Sequence, residues 1–100
     1  MLIQWMGAER APASIVRTRE QARAVAEDVL RRARGGEDFT RLAVEFSDEP
    51  GAANRGGSLG RFGKGQMVRS FEDAAFKLAP GEISDIVESS FGYHVILRVD

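Results

Sequence analysis

Cysteine is absent from this 100-residue chain, and histidine occurs once. Without thiols there is no disulfide framework, no thiolate zinc site and no thiol nucleophile, and the redox compartment stays open. One imidazole and carboxylates scattered over the chain leave no ligand set for a specific metal site. Neither charge sign is in excess: 14 basic against 15 acidic side chains give a net charge of -1. Phosphate-driven nucleic-acid binding needs a basic surplus, so no nucleic-acid partner is expected. No apolar run approaches the ~20 residues that span a bilayer, and Met1 to Gly7 lacks the basic start and long apolar core of a signal peptide. A soluble chain without membrane insertion is expected.

What is present suits one globular core. Hydrophobic residues make up 43% of the chain and charged ones 29%, and chains of this length seldom divide into two cores. Residues 1–100 are therefore read as a single domain. Leu2 to Met6 is short, β-prone and apolar on both sides, the pattern of a central strand. Its lack of a lead-in suggests a boundary that trims the first strand. Gly7 to Val16 has no period and reads as a long loop.

Thr18-Arg19-Glu20-Gln21 fits a capping box, and Ala22, Val25, Ala26, Val29, Leu30 and Ala33 continue at helical spacing until Gly35-Gly36. Asp38 can cap a second helix with Phe39, Leu42, Ala43 and Phe46 inward. Leu59 to Phe62 is a short strand candidate inside a glycine-rich stretch. Ser70 can cap a third helix with Phe71, Ala74, Ala75 and Leu78 inward, and Ala79-Pro80-Gly81-Glu82 is a turn. Ile83 to Val87 and Tyr93 to Val99 then form a hairpin joined at Ser89-Ser90-Phe91-Gly92. The expected order is β-α-α-β-α-β-β, an α+β domain whose mixed or antiparallel sheet is covered by helices.

The glycines from Gly51 to Gly65 invite a phosphate-loop reading, but the detail fails. Gly65 follows Gly63-Lys64 where Ser or Thr is needed for the metal, and Ser58 stands at the first glycine position. More telling is the succession Phe46-Ser47-Asp48, Gly56-Gly57-Ser58-Leu59-Gly60-Arg61-Phe62, Gly65-Gln66-Met67, Phe71-Glu72-Asp73-Ala74-Ala75-Phe76, Pro80-Gly81-Glu82-Ile83-Ser84 and Gly92-Tyr93-His94-Val95-Ile96. In this order and spacing it resembles the parvulin family of peptidyl-prolyl cis/trans isomerases, from about Leu2 to Val99.

The resemblance implies the parvulin-like fold of the FKBP-like superfold, with a four-stranded, mostly antiparallel sheet covered by helices and a cleft that grips a proline ring. Leu59, Met67 and Phe71 match the apolar proline pocket, with Phe62 at its border. By residue type alone each is equally at home in a core. His94 matches the active-site histidine of the last strand, although a lone strand histidine otherwise reads as a satisfied core residue. The family pairs it with a second histidine at Met1 or immediately before, and this chain has no second histidine. Glu49 falls where the family carries cysteine or, more often, aspartate facing the substrate carbonyl; the rival reading is a solvated turn acid before Pro50-Gly51. Ser89 aligns with a small hydroxyl residue of the histidine network, or is a solvated turn serine. Ser58 stands where the family usually has aspartate.

Rotation about an X-Pro bond breaks no bond, so no metal or cofactor is required. The barrier is about 18 to 20 kcal/mol, and a ten-thousandfold acceleration needs only about 5.5 kcal/mol of differential stabilisation. The expected partners are proline-containing peptides or unfolded protein clients, met by a monomeric domain that assists folding. The rival function is a noncatalytic proline-peptide-binding chaperone module. In phosphorylation-directed parvulins the first loop is basic; here it offers Arg10, beside Glu9, and Arg17, so no strong phosphopeptide preference is expected.

Overall fold

The structure is a computed structural model that describes residues 1–48 and 69–99. Its elements are β1 (Leu2–Ile3), α1 (Arg19–Arg34), α2 (Phe39–Phe46), α3 (Arg69–Lys77), β2 (Val87–Ser89) and β3 (Gly92–His94). The strands form an antiparallel sheet in the order β1-β3-β2, with Leu2 opposite His94 and Ile3 opposite Tyr93. Helices and an antiparallel sheet make the domain α+β. The strand candidate Leu59 to Phe62 lies outside the described residues.

Helix α1 begins where the capping box placed it. The Thr18 Oγ1 accepts the Gln21 N–H at 3.1 Å, and the Gln21 Oε1 accepts the Thr18 N–H at 2.8 Å. Both groups would otherwise be orphaned at the helix start. Its inner face carries Ala22, Ala26, Val29 and Ala33, all buried, and these small side chains let the helix lie close against β1 and β3. Gly36 at φ 105° ends the run in a conformation that side-chain-bearing residues rarely adopt. The Asp38 carboxylate caps α2 by accepting the Thr40 N–H at 3.0 Å.

Alternation along the last strand sorts the core into two faces. Tyr93 and Val95 join Ile3, Val29 and Leu42 in the cluster under α1 and α2. Ile96 packs instead with Phe71, Ala75 and Val87, beneath α3. His94 shares the second face, because it stands between Tyr93 and Val95 and its ring meets Phe71. Gly92 closes the hairpin opposite Ser89. Its φ is 150°, and a Cβ there would lie 2.5 Å from the Ile3 carbonyl oxygen, so β1 and β3 pair this closely only because the position is glycine.

Among the described residues β3 lies between β1 and β2, and the Ser47 hydroxyl and the Asp48 N–H bond the main chain of Leu2. Two expectations need correction. Ser70 lies inside α3, which is already helical at Arg69, so it is not the cap. The strands are also shorter than read and β2 is displaced, running Val87–Ser89 in place of Ile83 to Val87. Ile83 makes only an isolated antiparallel bridge to Leu97. There the buried Ser84 hydroxyl accepts the Ile96 N–H at 3.0 Å, while the Ser84 N–H reaches the Ile96 carbonyl at 2.8 Å.

Candidate active site

His94 is placed by strand geometry and kept neutral by its surroundings. Leu2 and Val87 flank it as direct cross-strand neighbours, and the Phe71 ring stands edge-on, 5.3 Å between centroids at 73°. Burial pushes the imidazole down to about 4 from its usual 6.5. The ring is therefore an uncharged hydrogen-bonding group throughout the neutral range.

Its Nε2 lies 2.7 Å from the Ser89 Oγ. The same Oγ accepts the Phe91 N–H at 3.2 Å, which leaves the hydroxyl proton available to Nε2. Ser89 is therefore hydrogen-bonded to the His94 ring. The turn is held from outside as well. The Glu9 N–H donates to the Ser90 carbonyl at 2.9 Å, the Ser90 hydroxyl donates to the Glu9 carboxylate at 2.6 Å, and the Arg10 guanidinium sits 6.0 Å from the Phe91 ring centroid. The first loop is therefore latched to the hairpin that carries Ser89.

Of the residues singled out in sequence, the structure brings together His94, Ser89 and Phe71. Glu49, Ser58, Leu59, Phe62 and Met67 lie outside the described residues. Met1, at or next to which the resemblance puts the family's second histidine, is a buried apolar residue of the larger core cluster. Its main chain exchanges both hydrogen bonds with Val95, at 2.8 and 2.9 Å.

Arg17 has a different place from the one its sequence position suggested. It is not a free cation of the loop: its Nη1 lies 2.5 Å from the Asp48 Oδ2, with Asp48 15% exposed. In the sequence Asp48 stands out only as part of Phe46-Ser47-Asp48. The pairing had no local signal, since the two residues are 31 positions apart.

The chain matches the PPIC-type PPIase domain family over residues 1–100. It belongs to that family, the parvulin-type peptidyl-prolyl cis/trans isomerases, whose members catalyse rotation about prolyl peptide bonds. The foldase protein PrsA of Geobacillus kaustophilus is 51% identical over 75 residues, covering 75% of this chain and 27% of that protein. The chaperone SurA of Chromohalobacter salexigens is 51% identical over 80 residues, 80% of this chain and 18% of that protein. The chain thus spans about a quarter or less of the length of these relatives. The peptidyl-prolyl isomerase ESS1 from Candida albicans superposes with a TM-score of 0.92 at 37% identity, covering all of this chain and 59% of that one.

Proposed function

We propose that the domain accelerates rotation about X-Pro bonds in flexible or unfolded protein segments and so assists folding. The observation that carries this reading is the buried, neutral His94, hydrogen-bonded to Ser89 and braced by Phe71 on one face of the sheet. Phe71, Leu59 and Met67, bordered by Phe62, form the proline pocket in this reading. A strand over Leu59 to Phe62 makes the sheet four-stranded, in the order β-α-α-β-α-β-β. Proline-containing segments of unfolded clients are the substrates, met by a single domain acting as a monomer. The names of the relatives, foldase and chaperone, support that choice.

The chemistry is electrostatic. In the planar amide, conjugation places negative charge on the carbonyl oxygen; twisting withdraws it and localises the nitrogen lone pair. A Glu49 carboxylate facing that oxygen raises the planar state relative to the twisted one, while the pocket holds the ring still. His94 and Ser89 supply a rigid, uncharged floor whose hydrogen bonds do not change with pH near neutrality. Rotation breaks no bond, so the mechanism calls on neither a metal nor a cofactor. The test is Glu49→Gln against Glu49→Asp: the amide loses most of kcat/KM, while the shorter acid keeps much of it. A fully active Glu49→Gln protein removes the carboxylate from the mechanism.

The rival reading is a noncatalytic module that captures proline segments without turning them. In that case the pocket binds peptide and exchange stays at the uncatalysed rate.

A further inference from the structure

Past β1 the chain folds back on itself through main-chain bonds: the Ala8 N–H reaches the Trp5 carbonyl and the Ala11 N–H the Ala8 carbonyl, both at 3.0 Å. Glu9 lies inside this bend and is held from two sides. Its carbonyl accepts the side-chain amide of the buried Gln4 at 3.3 Å. Its N–H donates to the Ser90 carbonyl at 2.9 Å, and its carboxylate accepts the Ser90 hydroxyl at 2.6 Å. One residue thus ties the segment after β1 to the β2–β3 turn. Next to it, Arg10 has φ 61°, the one non-glycine residue with a positive φ among the described residues. Such a conformation is costly for a residue that carries a Cβ, and it persists where surrounding contacts over-determine it. Here those contacts are the bonds of Glu9 and the approach of the Arg10 guanidinium to the Phe91 ring.

The far end of this latch falls between two residues that orient His94. Ser90 follows Ser89 and precedes Phe91, and the Ser89 Oγ takes the Phe91 N–H at 3.2 Å while it meets the His94 Nε2 at 2.7 Å. Rotating the turn at Ser90 would draw the Phe91 N–H off that oxygen and leave the Ser89 hydroxyl free to turn away from the ring. The bond made by one ring nitrogen decides which nitrogen carries the proton, so a loose hydroxyl means a mixed tautomer. We propose that Glu9 and Ser90 are positioning residues of the isomerase: their bond fixes the turn that aims the Ser89 hydroxyl at His94 and so holds the imidazole in one tautomer and one orientation. This rests on the isomerase reading, in which His94 and Ser89 are the floor of the site. Both latch residues are exposed, and one exposed hydrogen bond adds little to global stability. Its effect is geometric, and a shift of about 1 Å can cost on the order of a hundredfold in rate.

The experiment pairs cis/trans exchange of a proline tetrapeptide with the ring-nitrogen NMR signals of His94, in proteins shown to be folded by amide spectra. Glu9→Ala and Ser90→Ala should each lower kcat at least fivefold with KM within twofold, and the ring signals should pass from a single tautomer to a mixture. Glu9→Gln keeps an acceptor and Ser90→Thr keeps the hydroxyl, so both should hold kcat within about threefold of wild type and keep the single tautomer. In the Ser89→Ala background Glu9→Ala should cost less than twofold, because the hydroxyl that the latch positions is already gone. An unchanged kcat in Glu9→Ala and Ser90→Ala, a loss of kcat with unaltered ring signals, or equal losses with and without the Ser89 hydroxyl overturns the positioning role while the isomerase reading stands. No catalysed exchange by the wild-type domain removes that reading, and the positioning role with it.

Discussion

The His94 Nε2 and the Ser89 Oγ meet diagonally across the β2–β3 hairpin, 2.7 Å apart. His94 pairs in register with Val87 and Ser89 with Gly92, so the two side chains rise from the same face, two residues apart along the ladder. Moving either strand by one residue would turn one of them to the opposite face. The histidine network is therefore tied to hairpin register, and hairpin register to Gly92.

Protonation of His94 should destabilise the domain. Its folded value, about 4, lies below the usual 6.5, so as pH falls the unfolded chain takes up the proton first. The stability that the neutral ring contributes is complete above pH 6.5 and is lost progressively toward pH 4. The full effect is about 3 kcal/mol. Urea unfolding of wild type and His94→Asn between pH 7 and pH 4.5 checks this, with the difference isolating the imidazole from the carboxylates. A wild-type profile parallel to that of His94→Asn would contradict the assignment.

Phe71→Ala should weaken peptide capture and also cost stability. The ring is buried against Ile96 and Ala75 and stands edge-on to His94, and deleting a buried phenylalanine costs about 3 to 5 kcal/mol. Titration with a proline peptide, followed by amide shifts at a temperature where the variant is folded, should show at least a tenfold weaker Kd. Unchanged affinity in the folded variant would take Phe71 out of the pocket.

Phosphoserine before proline should bring little advantage. Arg17 is committed to Asp48 and to the Gln4 carbonyl, which leaves Arg10 as the arginine of the first loop outside that junction, with its guanidinium near the Phe91 ring. Capture of a dianion calls for several convergent donors. Turnover of matched peptides with phosphoserine, glutamate or alanine at that position should differ by less than tenfold. A hundredfold preference for phosphoserine, about 2.7 kcal/mol, would contradict this.

The helices were legible because their signals are local. Thr18 with Gln21, and the stripe from Ala22 to Ala33, lie within a few residues of one another. Strand limits were less so. The apolar letters of Ile83 to Val87 suit a ladder, but Ser84 spends its hydroxyl and its amide on Ile96, and the paired strand starts only at Val87. His94, Ser89 and Phe71 were found through a resemblance of motifs, since nothing in their spacing states that they meet. Arg17 and Asp48 escaped as a pair because a contact between distant charged residues leaves no periodicity to read.

Exchange spectroscopy on a proline tetrapeptide mixed with substoichiometric protein tests the central claim most directly. The uncatalysed isomers interconvert in tens to hundreds of seconds. The account predicts cis-to-trans exchange cross-peaks at sub-second mixing times with the wild-type domain, and their strong reduction with His94→Ala protein confirmed as folded. Shifts that report binding, with no exchange cross-peaks at any protein concentration, would contradict it and leave a peptide-binding module in its place.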